Sequence, residues 1–334
     1  MYIFFFILIL INLILIAKYN FFQKYFLLYD KKTGVPLIGG IYLFINFFII
    51  GIYFFYDPNS ILIGNYFKEF YIDQKSISAR EILVFFLLPT LFFLIGLYDD
   101  KFNLNANYRL VLSFFIIFIF LLIDNNFVIK SLRYSDDINI NLYNLSTIFT
   151  IMCMTGLIFA LNMYDGINLQ IGFHFLIIFS YFVFKGIFVN FFIIYILLIL
   201  IFLYLNYKNK IYMGDSGVYF LGSIISLTLL KNYNNQNLNL EEIIVVSLVP
   251  IMDMFRVILL RVSFGLHPFT KDKLHIHYIL KKQFNNKFLW HFGSLLTLFN
   301  IFLLESLAMP YLVLIQAIII YFIFIIFISV RKKN

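Results

Sequence analysis

Five acidic residues stand at or near the ends of apolar runs: Asp99 and Asp100 in "GLYDDKFNL", Asp165 in "LNMYDGINLQ", Asp215 in "IYMGDSG" and Asp253 in "PIMDMFRVILLRV". A carboxylate drawn into a bilayer costs about 2.5–3.5 kcal/mol even on lenient scales, so acids in such places need a reason. Adjacent carboxylates such as Asp99 and Asp100, about 4 Å apart, repel by roughly 4 kcal/mol at an effective dielectric of about 20. A divalent cation relieves that repulsion; otherwise one carboxyl keeps a proton and can act as a base. A helix cap is the plain alternative for each acid taken alone, because Asp and Asn are favoured caps, and for Asp99 and Asp100 so is an ordinary hydrophilic stop after a helix. Asn162 lies three residues before Asp165 and shares its segment. The donors are oxygens, with no His or Cys near them in sequence, which suits Mg²⁺ or Mn²⁺ rather than zinc.

Asp215 sits between Gly214 and Gly217, residues that let a backbone approach a ligand closely. The apolar run from Val218 predicts a helix start there, and a helix start is a ready phosphate site. Asp215 is then placed to hold a metal while Gly217 and Val218 offer amides. The stretch from Arg261 to His291 carries His267, Lys271, Lys273, His275 and His277, with Arg256 just before it. Such a loop suits a diphosphate; contact with anionic lipid is its plain alternative. His275 and His277 share a face only if their segment is extended. His174, His291 and Cys153 are expected to be structural, and one cysteine supports neither a disulfide nor a zinc site.

These residues need elements to hold them. Of 334 residues, 63% are hydrophobic and 13% charged, with mean hydropathy +0.93; a soluble domain carries about 25% charged residues. The chain reads as an all-α, polytopic membrane protein, a single membrane domain over 1–334. The period-two alternation of a membrane barrel is absent. Eleven spans are predicted: 2–17, 37–55, 82–98, 110–123, 145–161, 171–184, 187–205, 218–230, 243–260, 292–308 and 311–330. The first lacks the basic start and small-residue cleavage site of a signal peptide and reads as a retained helix. This layout puts the loops 18–36, 99–109, 162–170, 206–217 and 261–291 on one side, together with the C-terminus. That side holds 18 of the 25 Lys and Arg residues but 7 of the 17 acids, which makes it cytoplasmic. The net charge of +8 therefore calls for anionic headgroups and an anionic substrate, not nucleic acid. The loops of the opposite side, such as "DNNFVIKSLRYSDD", read as generic solvated connectors.

Taken in order, "KKTGVPLIGG", "GLYDDKFNL", "LNMYDGINLQ", "IYMGDSG" and "HPFTKDKLHIHY" resemble the polyprenyl-phosphate N-acetylhexosamine-1-phosphate transferase family, from about Lys31 to Leu280. The eleven-span layout is more similar to its O-antigen-initiating branch than to the peptidoglycan translocase. The resemblance implies transfer of N-acetylhexosamine 1-phosphate from a UDP-sugar to undecaprenyl phosphate, with release of UMP, at the cytoplasmic face of the bacterial inner membrane. It implies Mg²⁺ as cofactor and allows a homodimer. By motif, Asp99 and Asp100 match the catalytic acidic pair, and Asp215, with Asp100, the metal ligands. Asn162 and Asp165 match nucleotide-pocket residues, while His275 and His277 match a diphosphate-binding motif. Lys32, Asn206, Tyr212 and Arg261 join the substrate-binding set. "PIMDMFRVILLRV" matches in pattern. The chain departs from the family at Asn168-Leu169, where Asp-Gly is usual, and at Tyr278, where a further His is usual. A phospho-N-acetylmuramoyl-pentapeptide transferase and a cation-coupled transporter are the alternatives. The transporter is disfavoured because it places acids at mid-bilayer on broken helices. An aspartate-rich prenyltransferase needs a second acidic cluster that the chain lacks.

Overall fold

A computed structural model describes residues 12, 28–30, 33–56, 79–134, 138–269, 272–284, 291–307 and 309–331. Among them are eleven α-helices: α1 Gly39–Tyr56, α2 Ala79–Phe102, α3 Ala106–Ile123, α4 Ser146–Tyr164, α5 Gln170–Phe184, α6 Val189–Tyr207, α7 Gly214–Asn234, α8 Leu240–Ser263, α9 Ile276–Gln283, α10 Phe292–Leu307 and α11 Pro310–Arg331. Each predicted span from residue 37 onward coincides with a helix; the span over 2–17 lies outside the described residues apart from Asn12. Helices α2, α3, α4, α6 and α8 are long and apolar enough to cross a membrane. Helices α1, α5, α10 and α11 contain shorter apolar stretches. Helix α7 belongs to neither group; it carries Asp215 in its first turn and Lys231 in its last, with Ser216, Ser223, Ser226 and Thr228 between them.

The chain divides into two compact units, residues 1–124 with 178–225 and residues 125–177 with 226–334. In the first unit α2 packs on α1 and on α3. Asn105 starts α3, its side chain accepting from the Asn107 amide at 3.2 Å. Aromatic rings fill the contact between α1 and its neighbours: Phe44 stacks on Phe93 at 3.7 Å and meets Phe220 edge-on at 5.4 Å. Bilayer tails are as apolar as these rings, so the gain comes from shape and ring geometry rather than from leaving water.

In the second unit α8 packs on α4, α10 and α11, and α9 lies on α10 and α11. Asn239 and Glu242 close a capping box at the start of α8. The connector expected as a generic solvated loop is instead ordered around a hairpin. Strands β1 Ser131–Arg133 and β2 Asn139–Asn141 pair antiparallel, with Ser131 opposite Asn141. Arg133 Nη2 donates to the carbonyls of Tyr233 (2.7 Å) and Leu238 (2.9 Å), satisfying acceptors at the C-terminal end of α7. Cys153, expected as a small packed residue, lies on the exposed side of α4.

Candidate active site

In the first unit, two of the sequence motifs are clasped by their backbones. The Tyr212 amide donates to Pro36, the Gly39 amide to Tyr212 and the Gly40 amide to Met213, each at 2.9 Å. "GVPLIGG" and "IYMGDSG" are thus one structural feature. Asn206 tightens the same loop, its Nδ2 donating to the Ile211 carbonyl at 2.8 Å. Asn206 is buried and Tyr212 half-buried. The turn that leads in is held by Asp30, which accepts from the Thr33 amide (3.0 Å) and hydroxyl (2.6 Å). Lys32 lies outside the described residues.

This clasp sets the start of α7 beside the end of α2. Asp100 accepts from the Asp215 amide at 2.8 Å and the Ser216 amide at 3.1 Å. Helix α7 begins at Gly214, four residues before the predicted start. Its unsatisfied amides are therefore those of the 214–216 turn, not those of Gly217 and Val218. The site expected to await a phosphate is already met in part by a carboxylate of the chain. Gly214 takes φ +74°, and a Cβ there would lie 2.7 Å from Asp100 Oδ2. Glycine suits both the conformation and the approach.

Asp99 turns the other way. Its Oδ2 is ion-paired with Arg109 Nη1, and its Oδ1 accepts from the Leu104 amide at 2.7 Å. Arg109 Nη1 also lies 3.7 Å from Asp215 Oδ2. Three carboxyl groups and one guanidinium thus share the place, so the arginine can neutralise only one of them. Asp99 is 2% exposed, whereas the Asp215 side chain is 33% exposed. The pair expected to be relieved by a cation or a proton is split between an arginine and a helix start. Sequence reading missed Arg109; the available signal was a cation entering an apolar run four residues after an N-capping Asn.

The plain alternatives describe the positions of Asp165, a C-cap, and of Asp99 and Asp100, a polar stop to α2, but not that of Asp253. Asp99 and Asp100 occupy the last turn of α2 and Asp165 the C-cap of α4, where the helix dipole opposes a negative charge. Asp253 lies within α8, and Asp215 alone is in the first turn of a helix.

The second unit brings "LNMYDGINLQ", "PIMDMFR" and "HIHY" together. His277, fully buried, lies against Gly166 next to Asp165, so close that a Cβ on that glycine would run into Nε2. Neither ring nitrogen of His277 meets a hydrogen-bond partner among the described residues. Burial pulls its pKa down to about 3, so the ring is neutral at physiological pH. Asn162 lies in the last turn of α4, whose C-cap is Asp165. His275 and His277 do share a side: their rings are parallel, 5.7 Å apart, although only His275 is extended and α9 starts at Ile276. Asp253 Oδ2 meets His275 Nδ1 at 2.8 Å, and Arg256 Nη2 donates to Asp253 Oδ1 at 2.6 Å.

The basic loop spends much of its charge on folding itself. Arg261 is 3% exposed; it donates through Nε to Asp272 (2.8 Å) and through Nη1 to the Pro268 carbonyl (2.6 Å). Burial opposes ionisation of Asp272, yet the Arg261 guanidinium and the Leu274 amide hold its pKa below the usual carboxylate value. Lys273 is exposed, and Lys271 lies outside the described residues.

Among the described residues no three acidic, His or Cys side chains converge to enclose a metal ion on their own. Mg²⁺ does not need that many, since it takes one or two carboxylates and completes its shell with phosphate and water. Asp100 and Asp215, all-oxygen donors beside more carboxyl groups than the one guanidinium can neutralise, fit that requirement.

Comparison with known proteins gives one family match and several relatives. Residues 82–232 match glycosyl transferase family 4. Over 283 residues the chain is 23% identical to an undecaprenyl-phosphate alpha-N-acetylglucosaminyl 1-phosphate transferase of Escherichia coli O157:H7, covering 80% of this chain and 69% of that one. The same figures hold for the protein of that name from Salmonella typhi. One from Haemophilus influenzae is 33% identical over 75 residues, which is 22% of this chain and 21% of that one. The matched stretch, residues 82–232, holds Asp99, Asp100, Arg109, Asn162, Asp165 and Asp215.

Proposed function

We propose that the protein transfers N-acetylhexosamine 1-phosphate from a UDP-sugar to undecaprenyl phosphate, releasing UMP, as a first membrane step of cell-surface glycan synthesis. The observation that carries this reading is the cluster of Asp99, Asp100 and Asp215 at the meeting of α2, α3 and α7, with Arg109 shared by Asp99 and Asp215, inside the stretch that the family model matches. The names of the relatives support it. An oxygen of the lipid phosphate attacks the β-phosphorus of the UDP-sugar. The new P–O bond forms as the bond from that phosphorus to the bridging oxygen breaks, and UMP leaves with the bridging oxygen. Both reactants are anions, so catalysis is mostly positioning and charge neutralisation.

Mg²⁺ bound at Asp100 and Asp215 would supply that neutralisation. Asp100, half-buried where Asp99 is almost fully buried, is the better placed of the pair to take the last proton from the lipid phosphate. Asp99 acts by holding Arg109. Asn162, Asp165, Asn206 and Tyr212 serve the nucleotide, and His275 and His277 the diphosphate, as the resemblance implies. His277 contributes as a neutral hydrogen-bonding ring rather than as a charge. The active side faces the cytoplasm, where the nucleotide sugar is available, while the lipid arrives within the bilayer.

The test follows a label. With UDP-N-acetylglucosamine carrying radiolabel on its β-phosphate, the label should enter the lipid fraction, and excess UMP should drive it back. Asp100→Asn and Asp215→Asn should each reduce transfer at least about 100-fold, an effect of the size seen when electrostatic stabilisation is removed. EDTA should stop transfer, and Mg²⁺ should restore it. Label remaining in released UDP while sugar alone reaches the lipid would overturn the assignment.

A further inference from the structure

Asp253 has no role in the chemistry above, yet it is a heavily engaged carboxylate. It is 1% exposed, within apolar α8. Its Oδ1 accepts from Arg256 Nη2 (2.6 Å), the Tyr321 hydroxyl (3.0 Å) and the Ile276 amide (3.2 Å). Its Oδ2 meets His275 Nδ1 at 2.8 Å. Arg256 also donates to the Leu274 carbonyl (2.8 Å) and, through Nε, to the Tyr321 hydroxyl (3.1 Å). The cluster therefore closes on itself and joins α8, the residues that start α9, and α11.

The donors settle the proton positions. Arg256 carries a fixed charge, and an amide and a hydroxyl can donate to the same oxygen, so the carboxylate is the favoured form. An ionised carboxylate only accepts; His275 must place a proton on Nδ1. Its other nitrogen, Nε2, is then the one left for a ligand. Charge burial at this depth is costly unless fully compensated, and four donors provide the compensation.

We propose that Asp253 is a positioning residue for His275: it fixes the ring as the Nδ1–H tautomer, presents Nε2 to the phosphoryl ligand, and ties that geometry to α11 through Tyr321. The ligand class rests on the function proposed above; the tautomer does not. An orienting carboxylate behind a metal-bound histidine is worth about 10–100-fold in affinity or activity, and a loss of that order is expected here. Asn at position 253 would turn its oxygen to Arg256 and Tyr321 and its NH₂ to His275 Nδ1. That nitrogen would then have to accept, and the ring would switch to Nε2–H.

The experiment uses the full chain in detergent, labelled with ¹⁵N-histidine. The chain has five histidines, and His275→Gln identifies the signal of interest. Two-bond ring couplings should report Nδ1–H in the parent protein and Nε2–H in Asp253→Asn. Transfer assays with UDP-N-acetylglucosamine and undecaprenyl phosphate should show kcat/KM lowered about tenfold or more in Asp253→Asn, with partial recovery in Asp253→Glu. Should Asp253→Asn fail to fold, Tyr321→Phe takes its place; it keeps the Nδ1–H tautomer and raises KM more than it lowers kcat. An Nε2–H ring in the parent protein, or full kcat/KM in a folded Asp253→Asn, overturns the proposal. An Nδ1–H ring in a protein that transfers no sugar phosphate leaves the positioning role standing and removes the proposed reaction instead.

Discussion

Arg109 is the residue on which the acidic cluster depends, since it is the cation shared by Asp99 and Asp215. Removing one partner of a buried pair leaves an uncompensated charge and costs about 3–5 kcal/mol. Arg109→Gln should therefore lower the melting temperature in detergent sharply and abolish transfer. Adding Asp99→Asn to it should recover part of the stability and none of the activity, which differential scanning fluorimetry and the transfer assay separate. His277 sets an acid limit on stability. Burial holds it neutral in the fold down to about 3, while an unfolded histidine titrates near about 6.5. Between those values the unfolded chain binds the extra proton, so stability falls as pH drops below about 6.5. The slope is about 1.4 kcal/mol per pH unit. Thermal melts taken from about pH 7 to about pH 5 should show that fall, and His277→Gln should flatten it by about that slope.

At the scale of elements, a backbone clasp between 36–40 and 212–213 brings the start of α7 to the end of α2. Gly214 is where this arrangement admits least change. Alanine there adds about 1–2 kcal/mol of left-handed strain and presses a methyl on Asp100. Gly214→Ala should thus stay folded by circular dichroism while losing most of its transfer activity. A drop in melting temperature without loss of activity would mean that the contact with Asp100 does not matter to catalysis. Helix ends supply the rest of the local logic. Asp99, Asp100 and Asp165 stand at C-terminal ends, against the dipole, and so call for partners beyond their own helix. Arg133 does the converse, a cation that satisfies carbonyls at the end of α7.

For the whole molecule the open question is sidedness. The charge count assigns Lys101 and Lys208 to the cytoplasm and Lys130 to the opposite face. Single cysteines at these positions, in a Cys153→Ser background because Cys153 is exposed on α4, should react with impermeant thiol reagents from opposite sides of the membrane. Labelling at Lys101 and Lys130 from the same side would overturn the alternation of the spans between them.

The sequence alone determined the class of molecule and marked candidate members of the site, Arg109 excepted, because both are local properties. Apolar runs near about 20 residues impose helices in a bilayer, where every backbone group must bond within its own segment. Acids, glycines and histidines in short ordered motifs stood out against that background. Tertiary structure decided which partner each charged group has. Asp100 bonds to amides 115 and 116 residues away, and Asp253 to a ring 22 residues and a hydroxyl 68 residues along the chain. No periodicity encodes such pairs, since they arise only when helices pack and each buried charge must find its counterpart. For the same reason adjacent Asp99 and Asp100, indistinguishable by spacing, have different environments: one side of α2 meets Arg109 and the other meets the first turn of α7.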